Sequence, residues 1–479
     1  MEKVYPFVPW PDDGCDGSIT AMTSISRRRL LGSAGAAGLL AVTGGWRSAG
    51  RSLAGTSPLP DDGPALGPGP ATRTFDHVVV VMMENRSFDH FLGWLPGANG
   101  AQDTTTPRYP DASGRRHPNH RLTDPRGCGQ SNPDHSYAGG RFQLHKGAMD
   151  FFARRDDLHA LGFYSERDRP FMSALARHYT TCDGYFCSFL GSTWPNRFFV
   201  HAAQTQELTG GHRVTLPTIW DQLNRPGGPS GRYYYSDVPF LAMWGGTYRS
   251  ISEPHREFLV AARTGTLPNV AFVDPSFVGS AEGRGNDDHP RADIGAGDAF
   301  LAEVFHALAR GPAWERTVLI VTYDEWGGFY DHVAPPRVTA GVPLGAHPAS
   351  GPDKDVVGGR VLLGFRVPCI VAGPLARGGD PTRPRIDHRL YDHTSILKLI
   401  RWRWRLRPLG QRDASSRPSD PANLSAALHF GWSDPSVPPT MPYPTPPPPA
   451  SCQGTAVDAD DTWTPVLDRA ARSGWELTL

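Results

Sequence analysis

The chain has 479 residues, with 48 Lys+Arg balanced by 48 Asp+Glu and a hydrophobic fraction of 39%, enough for a large folded domain with appendages. The even charge balance supplies no basic stripe for nucleic acid. The 53 Gly and 47 Pro make up about a fifth of the residues against roughly 12% in average proteins, which argues against long coiled coils and helical solenoids and for many ordered loops.

Taken in chain order, the first feature is Ser26-Arg27-Arg28-Arg29-Leu30-Leu31, which leads into the Gly/Ala-rich stretch Gly32 to Val42. A charged region followed by a short, weakly apolar one, with Ser52-Leu53-Ala54 as a small-x-small cleavage site, reads as an export signal. The arginine pair before Leu-Leu resembles a twin-arginine signal. The apolar part is shorter than the ~20 residues a membrane span needs. Met22-Thr23-Ser24-Ile25 makes a compact charged-region start, and Met22 is an alternative first residue. The expected location is outside the cytoplasm: secreted, periplasmic or attached to the cell wall.

Residues 55–72 read as a flexible linker rich in Gly and Pro. Beyond them, four runs have the continuous apolar character of strands covered on both faces. They are His77–Met83, Val270–Val273, Val318–Tyr323 and Val367–Val371. A helical pattern over Ala299–Leu308 precedes the third, and the alternation predicts an α/β fold with a mostly parallel central sheet and helices on both faces. The stretch 225–265 is too irregular to place. A Pro tract from Pro435 to Pro449 is extended and ends in a segment with helical spacing at Val466, Leu467, Ala470 and Trp475. The chain thus divides into a leader (1–54), a linker (55–72), a folded body (73–434), a Pro-rich linker (435–451) and a C-terminal segment (452–479). Outside the leader, Cys128, Cys182, Cys187, Cys369 and Cys452 are odd in number, so at least one thiol stays free unless an intermolecular bridge forms. Cys182 and Cys187 read as buried small hydrophobes or as one local bridge.

The chemistry gathers where the strands end. The first strand runs straight into Glu84-Asn85, the third into Asp324-Glu325, and the second into Asp274-Pro275, with His289 in the following loop. Ligands of open parallel sheets bind outside the carboxyl ends of the strands. Carboxylates crowd together there only when neutralised, and a hard divalent cation with oxygen ligands does this. One acidic pair after a strand is ordinarily a solvated turn; two, each directly after a Val/Ile run, point to a shared site. A hydroxyl stands ready in Gly191-Ser192-Thr193-Trp194-Pro195-Asn196-Arg197, where a Gly turn and a Pro exit hold Thr193, although the same residues also suit an ordinary turn.

Together with Glu84–His90, Asp287–Pro290, Tyr323–His332 and Tyr391–Ser395, that motif resembles the bacterial phosphoesterase family of phospholipases C and acid phosphatase A, within the alkaline-phosphatase-like superfamily. The likeness runs from about Phe75 to Ile400. It implies an alkaline-phosphatase-like fold and one divalent metal, of no stated identity, held by Glu84, Asn85, Asp324, Glu325 and Thr193. Thr193 would be the nucleophile, His135 and His289 the phosphate contacts and proton donors, and Asn85 a stabiliser of the phosphoryl oxygens. His332, Asp392 and His393 are expected behind these groups. Tyr137, Trp194 and Trp326 are candidates for cation–π contact with a quaternary ammonium head group, with rigid packing as the plain alternative. The function implied is a phospholipase C that hydrolyses phosphatidylcholine-type lipids through a phosphothreonine. The alternatives are a broad-specificity acid phosphatase on the same residues and a binding protein with a dead site. The expected partners are a phospholipid or another phosphate ester, with transient contact to a membrane surface and without nucleic acid.

Overall fold

The computed structural model describes residues 75–155, 158–206, 214–279, 284–341, 355–450, 452 and 463–477. The chain divides after Thr56, and every described residue belongs to the second part. The leader and the 55–72 linker lie outside the described residues.

Eight strands build the main sheet: β1 (His77–Met83), β2 (Thr180–Cys182), β3 (Gly231–Tyr235), β4 (Ser252–Pro254), β5 (Val270–Val273), β6 (Thr317–Tyr323), β7 (Cys369–Ala372) and β8 (Arg385–Asp387). Their order is β8-β2-β7-β6-β1-β5-β3-β4. Every pairing is parallel except those of β7, which runs against both β6 and β2. The sheet is mostly parallel, as expected, with one reversed strand that the apolar run at Val367–Val371 did not reveal. All four anticipated strands form. The stretch 225–265, unreadable from the sequence, adds β3, β4 and the helix His255–Thr264.

The two central strands are buried along nearly their whole length, which is why Val-Val-Val-Val and Val-Leu-Ile-Val occur where a half-exposed strand would alternate. Each such side chain contributes about 1.5–3 kcal/mol by leaving water. Helices α1 (Phe88–Leu92), α2 (Tyr137–Leu144), α3 (Pro170–His178), α4 (Thr193–Ala202), α5 (His255–Thr264), α6 (Ile294–Ala309) and α7 (His393–Trp404) pack in two main groups, α6 against α3 and α5, and α4 against α7. The α6 helix starts where the Asp293 carboxylate accepts from Gly295 N, satisfying an amide that the helix itself leaves open. It stops before Gly311, where an added Cβ would lie 2.1 Å from the Ala262 carbonyl of α5.

The C-terminal residues return to the body. Helix α8 (Thr464–Arg472) buries Val466 and Ala470, the spacing anticipated from the sequence, together with Trp463 and Trp475. The Pro-rich tract leading to it is pinned through Trp314 Nε1 to the Pro435 carbonyl (2.9 Å), His306 Nε2 to the Pro442 carbonyl (3.0 Å) and a Cys128–Cys452 disulfide. Cys182, Cys187 and Cys369 are buried free thiols, so of the two readings for Cys182 and Cys187, the apolar packing one holds.

Candidate active site

Register places the first acidic groups. Met83 of β1 pairs with Tyr323 of β6, and Val81 with Val273 of β5. The next residues, Glu84, Asp324 and Asp274, therefore leave three adjacent parallel strands at one edge. Asn85 N donates to Asp324 Oδ1 (3.2 Å) and Asp324 N to the Met83 carbonyl (3.2 Å), so the two strand ends are stitched together. Asn85 holds φ at 60°, a left-handed conformation that Asn tolerates better than other side-chain-bearing residues. Gly327 lies against it: a Cβ there would stand 2.0 Å from the Asn85 carbonyl oxygen. The loop after β5 closes in through Glu84 N to the Asp287 carbonyl (2.7 Å) and Arg86 Nε to the Asp288 carbonyl (2.7 Å).

Helix α4 supplies the hydroxyl. Thr193 is its first residue, and the Asn196 amide group ties the preceding turn by accepting from Phe189 N (2.9 Å) and donating to the Phe189, Gly191 and Ser192 carbonyls at 2.9–3.1 Å. Arg197 follows Thr193 by four residues, which puts both on one helix face. Its guanidinium reaches Glu84 Oε1 (3.4 Å), Asp274 Oδ1 (3.1 Å) and Asp324 Oδ2 (3.2 Å). Thr193 therefore stands one helical turn from the group that binds all three strand ends.

The electrostatics are those of too many acids. Burial first, then the Asp324 carboxylate, pushes Glu84 well above the usual carboxylate range, with Arg197 only partly opposing. Asp324 and Asp274 are raised, chiefly by burial, and Asp287 is raised well above its ordinary value for the same reason. One guanidinium is shared among three carboxylates. Both polar atoms of the Asn85 amide are buried without a hydrogen-bond partner, and leaving such groups unsatisfied costs about 1–3 kcal/mol each. Excess buried acid beside an orphaned amide oxygen is a donor set that suits a hard divalent cation.

Glu325 stands next to this group: its Oε2 accepts from Gly327 N (2.7 Å), and His135 Nε2 faces its Oε1 at 3.9 Å. The rings of His135 and His289 are 6.1 Å apart. Each meets a backbone carbonyl through Nδ1, of Pro133 at 2.8 Å and of Pro290 at 3.0 Å. A carbonyl can only accept, so both rings carry their proton on Nδ1 and present Nε2. Burial, then the neighbouring His135, takes His289 down to about 3.

The structure also separates groups that the sequence grouped. His393 Nε2 donates to the Asp324 carbonyl (2.8 Å), supporting the strand end from behind. Asp392 caps α7 and binds Arg412 (2.8 Å). His332 belongs to another knot: its Nδ1 meets Asp89 Oδ2 at 2.6 Å, and Arg366 binds both Asp89 (3.1 Å) and Asp331 (2.9 Å). Among the described His, Cys, Asp and Glu residues, Asp89, Asp331 and His332 are the one trio whose ligand atoms all lie within 4.8 Å of one another, and none of them belongs to the five residues expected to hold a metal. Trp326 is corrected as a head-group contact: it is fully buried, donates to Gln143 Oε1 (2.9 Å) and packs edge-on against Phe365, so no ring face is open. Trp194 is buried as well, and Tyr137 already carries the Arg141 guanidinium 3.2 Å from its ring centre. Packing, the plain alternative, describes these aromatics better.

Sequence reasoning gave Arg197 and Asp274 no role in the site and missed Trp463. The signal for Arg197 was present, since a charge beside Phe198-Phe199-Val200 in an apolar helix requires buried acids. Asp274 was visible as a strand-end residue. Trp463, whose Nε1 donates to Glu84 Oε2 (3.2 Å), had no local signal.

Over 459 aligned residues the chain is 32% identical to Phospholipase C B of Mycobacterium tuberculosis, covering 81% of this chain and 83% of that protein. It is 31% identical to Non-specific phospholipase C1 of Arabidopsis thaliana, over 70% of this chain and 68% of that one. A solved structure from Vibrio parahaemolyticus, described as a protein in the alkaline phosphatase superfamily, is 10% identical with a TM-score of 0.35, covering 76% of this chain and 74% of that chain. The pattern of the Phosphoesterase family matches residues 75–238 and 219–407. The chain belongs to the Phosphoesterase family and is a hydrolase of phosphate ester bonds.

Proposed function

We propose that the chain is an exported, metal-dependent phospholipase C that uses Thr193 as nucleophile. The observation that carries this is the placement of Thr193 on the same helix face as Arg197, one turn from the convergence of Glu84, Asp274 and Asp324. The relatives named phospholipase C support the choice of a phosphodiester, and Arg27-Arg28 with its weakly apolar sequel supports export. No described helix is long and apolar enough to cross a membrane.

Glu84, Asn85, Asp324 and Glu325, with the Thr193 hydroxyl, are the residues that would hold the cation. When bound, it would supply a lowered hydroxyl pKa and neutralise charge on phosphorus. The chain's own groups do the rest. Asn196 and the first turn of α4 orient the Thr193 oxygen in line with the bond to be broken. The Asn85 amide N–H offers a donor to an equatorial phosphoryl oxygen. Thr193 attacks phosphorus, the diacylglycerol oxygen leaves with a proton, and a phosphothreonine still esterified to the head group remains for water to hydrolyse to the phosphorylated head group. His135 and His289 serve the proton through Nε2, and a neutral His289 takes one up only when the negative phosphate has entered beside it.

Turnover of p-nitrophenyl phosphorylcholine against p-nitrophenyl phosphate, with and without a chelator, tests this reading. The diester should be preferred and both activities lost on chelation. Preference for the monoester would make the protein an acid phosphatase, and no turnover of either would make it a binding protein.

A further inference from the structure

The C-terminal segment reaches the same site from the far end of the sequence. Trp463 Nε1 donates to Glu84 Oε2 (3.2 Å), 379 residues away. Its ring stacks on Phe277, with centroids 4.0 Å apart and planes 13° from parallel. The Arg197 guanidinium lies over both rings, 4.6 Å from the centre of Phe277 and 5.4 Å from that of Trp463. One indole thus holds the carboxylate that Arg197 touches and covers Arg197 itself.

The contact is not a loose end falling on a surface. Trp463 is 7% exposed, and α8 behind it buries Val466 and Ala470 completely. Arg469 Nη1 donates to the Met243 carbonyl (3.3 Å), Trp475 Nε1 to the Gly245 carbonyl (3.0 Å), and Tyr235 Oη to the Glu476 carbonyl (2.8 Å). Upstream, the Cys128–Cys452 disulfide ties Cys452 to the body. The indole is held by the helix that follows it.

We propose that Trp463 is a positioning residue of the site, fixing the Glu84 carboxylate for its ligand and closing the Arg197 network against water. This rests on the reading of Glu84 as a metal ligand. A carboxylate with one oxygen committed to an indole N–H and the other beside Arg197 keeps a single orientation. Partners behind metal ligands are typically worth about 10–100-fold in affinity. Trp463 acts through Glu84 and touches neither substrate nor reacting atoms.

The test uses the full chain, stripped of metal and titrated calorimetrically with Mg2+, Ca2+, Mn2+ and Zn2+ alone, the tightest binder being carried forward. Trp463→Phe keeps the stacking and loses the N–H. It should stay folded when metal-free, bind the cation about tenfold more weakly, and regain near wild-type kcat when the cation is raised to saturation. Trp463→Ala, losing donor and cover together, should bind more weakly still. Unchanged cation affinity in Trp463→Phe overturns the proposal, as does an activity loss that excess cation fails to restore. Glu84→Ala separates the two levels of the argument. If it binds the cation like the wild type, or if the wild type binds none of the four, the metal reading falls and the role of Trp463 with it. If Glu84→Ala loses the cation while Trp463→Phe does not, only the role of Trp463 falls.

Discussion

Two buried arginines organise two acidic knots, and the knots are not alike. Arg366 binds Asp89 and Asp331, and Asp89 spends its remaining lone pairs on Ala101 N (2.9 Å), His332 N (2.8 Å) and His332 Nδ1 (2.6 Å). That knot has a tight cluster of potential metal ligands, yet its cation is already built in. Arg197 must serve Glu84, Asp274 and Asp324 together, with Asn85 unsatisfied beside them. Short distances between acids mark a structural crosslink; acids in excess of their arginine mark a place prepared for something else.

The sharpest break between the knots is chemical. Thr193→Val keeps the branched shape and removes the oxygen, and single-turnover and steady-state assays should show activity down by about 10⁴-fold or more, the scale of losing a nucleophile. Acid quench of the wild type should trap the phosphorylated head group on this threonine. Stability separates the knots next. Arg197→Met and Arg366→Met should each destabilise the metal-free protein by about 3–5 kcal/mol, because both leave buried carboxylates uncompensated. Added divalent cation should restore much of the loss in Arg197→Met and little in Arg366→Met, read as denaturant midpoints with and without metal.

A smaller effect probes the join between Asn85 and the loop after β6. Gly327 has φ +63° and no room for a Cβ against Asn85, so Gly327→Ala should cost about 1–3 kcal/mol of stability, and cation affinity should fall with it. The smallest is a pH dependence with two arms. Burial, then Arg197, takes His201 down to about 3, and burial alone takes His255 to about 4. Unfolding lets each bind a proton below about 6.5, so stability falls as pH drops from there towards 4. Glu84 and Asp287 are raised well above their ordinary values. The folded state then binds more protons than the unfolded one once pH passes the ordinary carboxylate range of about 4, so these two groups take stability from the metal-free protein as pH rises from there, against the histidine contribution. Bound cation should remove that loss and leave the histidine contribution in place, as melting temperatures across pH 4–9 would show.

Legibility from sequence followed the physics of each region. β1 and β6 were readable because a strand buried on both faces is apolar throughout, and Glu84 and Asp324 because a charge directly after such a run is conspicuous. β3, Gly231-Arg232-Tyr233-Tyr234-Tyr235, was hidden between Pro and Gly clusters and carries tyrosines whose polarity masks a buried strand. The reversal of β7 is a property of its connections, which no local pattern encodes. The aromatics near the motifs stayed between two readings for a similar reason: whether Trp326 and Tyr137 meet a ligand or pack depends on what covers their faces, as Phe365 meets Trp326 and Arg141 lies on Tyr137. Trp463 depends wholly on long-range folding, and only the spacing of Val466 and Ala470 hinted that its segment returns.

The Cys128–Cys452 bond, 324 residues apart in sequence, makes most of the molecule a covalent ring. Seven of the eight sheet strands lie within it, and only β1 precedes it. A single protease cut anywhere in the ring opens it without freeing a fragment, so the two pieces stay at the high effective concentration of a tether and can close again on the native sheet. Such a nicked protein would run as one band on a non-reducing gel and as two after reduction, while its phosphate-ester chemistry persists.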